Sequence, residues 1–308
     1  EMELDLQFTN QSEALGEFGG FSTASMLAES EYKYTFYENI HVRRNKAELQ
    51  FATRFANYFK AYLNLSSCHK NYDMQFFCTP DDILKSAQFT NAEIKLRFAY
   101  KEKFLSKPDG IQSLGTLYPI VWLSYQHSFP ILGGQYDFDR IKFEVSKNFY
   151  TRYMGVSKVL LQAGYASESC PVMETFDILG TYDRFGIYSP GSFSTMRLDE
   201  FFCDRFVALY LSHNFSGMLW KTQSSWFKPE LSVITNIGWG DMKRAENHLN
   251  KNFKTMEQGY FESGLVVNGI LATPLTKMGV GAFYRYGPYS LPNISRSEER
   301  RVGKECRS

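Results

Sequence analysis

The sequence predicts an all-β chain folded as an antiparallel transmembrane β-barrel. Three observations predict it. Apolar and charged residues alternate with period two over segments of about ten residues or more, the pattern of strands with one dry and one wet face. Aromatics are abundant, with 27 Phe and 20 Tyr among 308 residues, yet the mean hydropathy is −0.34. Charges on the wet faces also run through mid-strand. A Lys or Arg facing hydrocarbon at the midplane costs roughly 2–4 kcal/mol, so those faces must meet water inside a barrel. A large soluble sandwich or propeller would show the same alternation in shorter strands, since soluble strands centre near about 5–6 residues.

The elements follow in chain order. "EMELDLQFTN" begins directly in a strand, with Leu4, Leu6 and Phe8 on one parity. "AELQFATRF" sets Leu49, Phe51 and Phe55 against Glu48, Gln50 and Arg54. "AEIKLRFAYKEKF" sets Ala92, Ile94, Leu96, Phe98 and Tyr100 against Glu93, Lys95, Arg97 and Lys101. "DRIKFEVSKNF" sets Ile141, Phe143, Val145 and Phe149 against Arg140, Lys142, Glu144 and Asn148. In 154–167 the outer face reads as Val159, Leu161, Ala163 and Tyr165. "ELSVITNIGWG" sets Leu231, Val233, Ile237 and Trp239 against Ser232, Asn236 and two glycines. "KMGVGAFYRYG" sets Met278, Val280, Ala282, Tyr284 and Tyr286 against Gly279, Gly281 and Arg285. Further strands are expected in 32–42, 58–67, 72–78, 116–129, 205–217 and 258–272, about a dozen in all by the same pattern, with no amphipathic helix. His213 shares the outward parity of Val207, Leu209 and Leu211, which places it at an interface.

Short Gly/Asn/Asp/Pro-rich links such as "SKPDG" and "LGGQYD" suit hairpins. One connection, 168–204, is long and irregular, and such a loop in a regular β array is usually functional or a plug. Trp122, Tyr150, Tyr153, Trp220, Trp226, Trp239, Tyr286 and Tyr289 recur near strand ends, as interfacial girdles require. The final "RSEERRVGKECRS" resembles a translated sequencing-library adapter. Residues 296–308 are therefore set aside as a non-native tail, leaving 1–295 as one partial barrel. Cys68 and Cys78 could pair across a hairpin, although free thiols are the simpler reading. No signal-peptide pattern is read in the opening residues, which start directly in a strand.

"GSFSTMRLDEFFCDRFVALYLSHNFSG" (191–217) leaves the long loop and enters a strand. Through Phe193, Thr195, Met196, Glu200, Phe201, Asp204, Arg205 and "HNFSG", it resembles the outer-membrane barrel proteins of the Bacteroidetes type. "FKPELSVITNIGWGDM" and "GVGAFYRYGPYSLP" fit the same family, and the resemblance spans most of 90–292. That family has no assigned function and is usually described with an upstream carboxypeptidase-regulatory-like domain. It is distantly similar to BamA/TamA-type assembly barrels. The resemblance implies a fragment that lacks its closing strand and its periplasmic N-terminal part. In the assembly barrels an Arg on a long loop folds back inside and is held by acidic wall residues. Arg197 is its analogue by position, with Leu198 where that family has Gly. Apart from any resemblance, Arg197, Asp199, Glu200, Asp204 and Arg205 form a mixed-charge group at the loop-to-strand junction, expected to pair and pin the loop.

No function as an enzyme is expected. The five histidines are scattered, and no nucleophile elbow, zincin or phosphate-loop motif occurs. No metal site or cofactor is expected either. With a net charge of +1, nothing points to nucleic acid as a partner. The predicted setting is the Gram-negative outer membrane, with its lipid as partner and periplasmic or outer-membrane client proteins as candidate partners. The leading reading is the barrel of an assembly or translocation factor with an inward-folded loop. The alternatives are a passive porin or receptor-like transport barrel, and a soluble β-rich adhesin or binding protein.

Overall fold

The structure, a computed structural model, describes residues 2–13, 21, 42–72, 78–79, 82–83, 86–107, 110–182, 188, 190–197, 200–220, 222, 224, 226–243, 254–272, 277–290 and 301–307. Eleven long strands build one antiparallel sheet. They are β1 (Met2–Glu13), β2 (Val42–Phe55), β3 (Phe59–Tyr72), β4 (Ser86–Ala99), β5 (Ile120–Phe129) and β6 (Phe138–Thr151). There follow β7 (Gly155–Ala166), β8 (Arg205–Asn214), β9 (Glu230–Asp241), β10 (Met256–Ala272) and β11 (Lys277–Tyr286). Each pairs with its neighbours in sequence, an up-and-down meander. Among the described residues β1 is not bonded to the far edge, so the described sheet is open.

A short twelfth strand, Arg301–Arg307, pairs antiparallel with β11. It lies inside the tail set aside on sequence grounds. A bare strand edge presents unpaired N–H and C=O groups, and any extended segment within reach satisfies them.

The strand register explains why alternation was readable. Phe51, Leu63, Ile94, Tyr125, Ile141 and Tyr165 are cross-strand neighbours from β2 to β7. All six lie between 37% and 48% exposed. One position along, Asn64, Gln126 and Arg140 are 5% exposed or less. The molecule is therefore turned inside out relative to a soluble domain, with apolar side chains on the surface and polar ones covered. Leaving so much apolar area in contact with water would forfeit about 25 cal/mol per Å². The outer face is thus built for an apolar environment.

Aromatics gather at both ends of the strands. Tyr150, Tyr153, Trp220 and Trp226 stand exposed at the end that carries the three-residue turns 56–58 and 152–154. Trp239 and Tyr286 stand exposed toward the opposite end. Two of the expected girdle residues belong elsewhere. Trp122 lies across from Arg97 and Glu144, on the inward parity, so its ring faces the charged wall. Tyr289 donates its hydroxyl to the Thr255 carbonyl at 2.6 Å and packs on Phe201, which draws it into the interior.

The expected strand 32–42 lies outside the described residues except for Val42. Of 72–78, only its two end residues are described, and the side chain of Cys78 is not, so the Cys68–Cys78 pairing also falls outside.

Candidate functional site

The connection from β7 to β8 covers the inner face of the sheet. Within it, a 3-10 turn at Val172–Glu174 leads to Phe176–Asp177, which pairs with Phe202–Cys203. Gly180–Tyr182 runs parallel to Phe193–Arg197. Phe176, Phe193, Met196, Phe201, Phe202 and Cys203 are all 1% exposed or less. The expected inward-folded loop is therefore present, and it is densely packed. Burial holds the Cys203 thiol far above its usual pKa, so it stays a protonated, inert core residue.

The wall makes room for this packing. On β7–β9 the inward positions carry Gly164, Ala208, Gly238 and Gly240. A Cβ at Gly164 would meet the Phe206 ring at 2.4 Å and the Phe176 ring at 2.7 Å. One at Gly238 would meet Phe193 at 2.8 Å, and one at Gly240 the Cys203 Sγ at 2.4 Å. Ring edges thus reach the backbone of the sheet itself. Gly164 and Ala208 were not singled out from sequence; small residues on a wet parity were the available signal.

One wall carboxylate grips the loop. Glu262 of β10 is 0% exposed. Its Oε1 accepts the Ser194 N–H at 2.9 Å and Asn236 Nδ2 at 2.7 Å. Its Oε2 accepts the Thr195 N–H at 2.9 Å and the Thr195 hydroxyl at 2.7 Å. An ionised carboxylate accepts without donating, so four converging donors suit it. The Thr195 hydroxyl also lies 2.8 Å from that of Tyr260. Sequence reasoning had singled out neither Glu262 nor Tyr260.

Of the five charges singled out at the junction, the four that are described point to different partners. Glu200 faces the wall, with its carboxylate 3.4 Å from both Arg285 terminal nitrogens and 3.4 Å from Lys254 Nζ. The Arg285 guanidinium in turn lies 4.7 Å from the Tyr260 ring centroid. Asp204 is buried at the rim and accepts the Lys243 N–H at 2.9 Å. Arg205 stands 3.6 Å from Asp204 and pairs with Asp241. Arg197 is exposed, and its own N–H donates to Glu200 at 3.2 Å. Asp199 lies outside the described residues. At Glu200 a loop carboxylate meets a wall arginine.

At the other end of the loop, Glu174 reaches the opposite stretch of wall. Lys70 Nζ lies 2.6 Å from its Oε1, and Arg140 donates to its carbonyl at 2.8 Å. Beside it opens a polar cavity of about 140 Å³ lined by Arg44, Lys46, Glu48, Lys70, Glu93 and Lys95 among others. Pairs such as Lys46–Glu48 at 2.7 Å and Lys95–Glu93 at 3.1 Å balance much of its charge. His213 sits apart on the outer parity, its Nδ1 2.7 Å from Ser157 Oγ and its Nε2 3.1 Å from the Met154 carbonyl.

An antiparallel meander with an apolar outside, a polar inside and a loop packed against the inner wall defines a barrel of the BamA type. Residues 64–223 match the C-terminal domain of a family of unknown function (DUF5686), and the chain belongs to that family. In fold it is similar to BamA from Haemophilus ducreyi lacking POTRA domains 1–3, with a TM-score of 0.59 at 9% identity over 98% of this chain. It is also similar to CdiB from Escherichia coli, with a TM-score of 0.53 at 10% identity over 85% of this chain. The chain spans 57% and 44% of those two structures. No curated protein matches it in sequence.

Proposed function

We propose that the chain is the membrane-embedded barrel of an assembly or translocation factor in a Gram-negative outer membrane. The observation that carries this reading is the loop held on the inner wall by Glu262, beneath an outer face of exposed apolar side chains. Hydrogen bonds that hold the loop inside give the barrel a fixed inner surface, which suits a factor that works through it. The likeness of fold to BamA supports the same reading. The end with three-residue turns faces the periplasm and the 167–204 end faces outward, following the usual asymmetry of such barrels. The outer face contacts lipid acyl chains, client proteins are the working partners, and no catalytic step, cofactor or nucleic acid takes part.

Location is tested by comparing Ile94→Arg with Lys95→Leu. The first puts a charge on the lipid face at a cost of roughly 2–4 kcal/mol near mid-bilayer, and recovery in the outer-membrane fraction should fall steeply. The second should be tolerated, and equal recovery of the two would refute the facing. Function is tested by depletion. Other outer-membrane barrels should decline in abundance before growth slows.

The polar cavity beside Glu174 favours a second reading, a transport barrel. Unchanged barrel levels on depletion, together with solute flux through liposomes containing the protein, would establish that reading in place of the first.

A further inference from the structure

Phe21 comes from the segment between β1 and β2, yet it lies buried against the inner wall of β5 and β6. Its N–H donates to Glu144 Oε2 at 2.8 Å, across 123 residues of chain. Its ring stacks on Trp122 with centroids 5.7 Å apart and planes 6° from parallel. Lys142 Nζ sits 4.9 Å from the ring centroid. Behind Trp122, Tyr62 continues the stack at 6.1 Å. Gln162 steadies Glu144 with a hydrogen bond of 3.0 Å.

We propose that these wall residues form a binding slot for an aromatic residue of an extended peptide, with Phe21 as its resident occupant. The division of labour identifies the ligand class. Glu144 accepts a main-chain N–H, which almost any residue supplies. Trp122 offers a flat face, and Lys142 a cation, so an aromatic side chain satisfies both, through offset stacking and through its ring quadrupole. An aliphatic side chain would cover the same area without the ring quadrupole that faces the Lys142 ammonium. The register fixes the geometry, because Trp122 and Glu144 stand directly opposite each other on paired strands. All the slot residues lie on the wall, so the slot outlasts the departure of Phe21. The inference goes beyond the proposed function, and it would hold equally for an assembly barrel or a channel.

The test uses the purified chain in detergent micelles and two labelled peptides, GGFST (residues 19–23) and the control GGAST, read by fluorescence anisotropy. With Phe21→Ala the slot is vacated. GGFST should then bind at least tenfold more tightly than GGAST, and at least tenfold more tightly than it binds the wild type. Adding Lys142→Met should cut that affinity several-fold. If Phe21→Ala binds both peptides equally, or GGFST no better than the wild type does, Phe21 is only an internal anchor and the proposal is wrong. Should folding need apolar bulk at this position, as near-UV circular dichroism would reveal, Phe21→Leu replaces it. The same tenfold preference for GGFST over GGAST is expected there, and its absence would be equally decisive against the slot.

Discussion

On β2–β6 the inward side chains include Arg44, Lys46, Glu48, Lys70, Lys95, Arg140 and Glu144, and they leave a polar cavity of about 140 Å³. On β7–β9 inward positions carry Gly164, Ala208, Gly238 and Gly240, and the loop fills the space with aromatic rings. The outer faces of the two stretches are alike, as the row from Phe51 to Tyr165 and the exposed Val207, Val233 and Trp239 show. Inward residue size separates them. Long ionic side chains hold the first stretch apart around a polar space, and carboxylates offset part of their positive charge. Glycine and alanine let the second close down until rings touch backbone, and there van der Waals contact and buried hydrogen bonds take over from charge. Glu174 and Glu262 anchor the same loop, but one does so in the wet stretch and the other in the dry.

The sharpest way to break this contrast is Glu262→Ala. Ser194, Thr195 and Asn236 would be left with buried donors lacking their acceptor, at about 1–3 kcal/mol for each such group. A loss of roughly 3–6 kcal/mol is expected in denaturant unfolding, with the loop becoming open to limited proteolysis. Unchanged protease resistance would mean that the loop is held by packing alone. Gly164→Leu attacks the same stretch sterically. It overfills a space in which a Cβ alone already meets Phe206 at 2.4 Å. Overpacking of this kind costs about 1–3 kcal/mol. The loop should loosen while strand content by far-UV circular dichroism stays constant. A variant as stable as the parent would show that the rings are not seated against the sheet.

Which face a residue occupies was legible because it needs only local parity. The outward set of Ile94, Ile141, Val233 and Tyr284 follows from period two alone. Parity also shows that Trp122 points inward, a distinction lost when it was grouped with the girdle by residue type. What covers the inner face was not legible. The loop is held through the amides of Ser194 and Thr195, and a main-chain N–H leaves no mark in a sequence. Their acceptor, Glu262, lies 67 residues away from Thr195. Charge near the loop end drew attention to Arg197, which stands exposed, while Glu200 and Arg285 make the wall contact. The run of small residues at wet positions on β7–β9 was the trace of a close-packed interior, readable only once something is known to press against it.

Glu174→Gln separates the two stretches most cleanly. The amide keeps the shape and most of the hydrogen bonding, and removes the charge that faces Lys70 and Arg140. Lys70, Arg140 and Glu174 are themselves largely covered, so leaving the two cations without their counter-charge costs about 3–5 kcal/mol. A comparable drop in unfolding free energy is expected. The polar cavity beside these residues is the route by which salt reaches the pair. Dissolved salt screens charges that reach water and leaves buried hydrogen bonds nearly untouched. Raising the salt should therefore shrink the gap between Glu174→Gln and the parent, while the gap for Glu262→Ala stays as it was. If both gaps shrink together, water reaches Glu262 as freely as Glu174, and the division of the inner wall into wet and dry stretches does not hold.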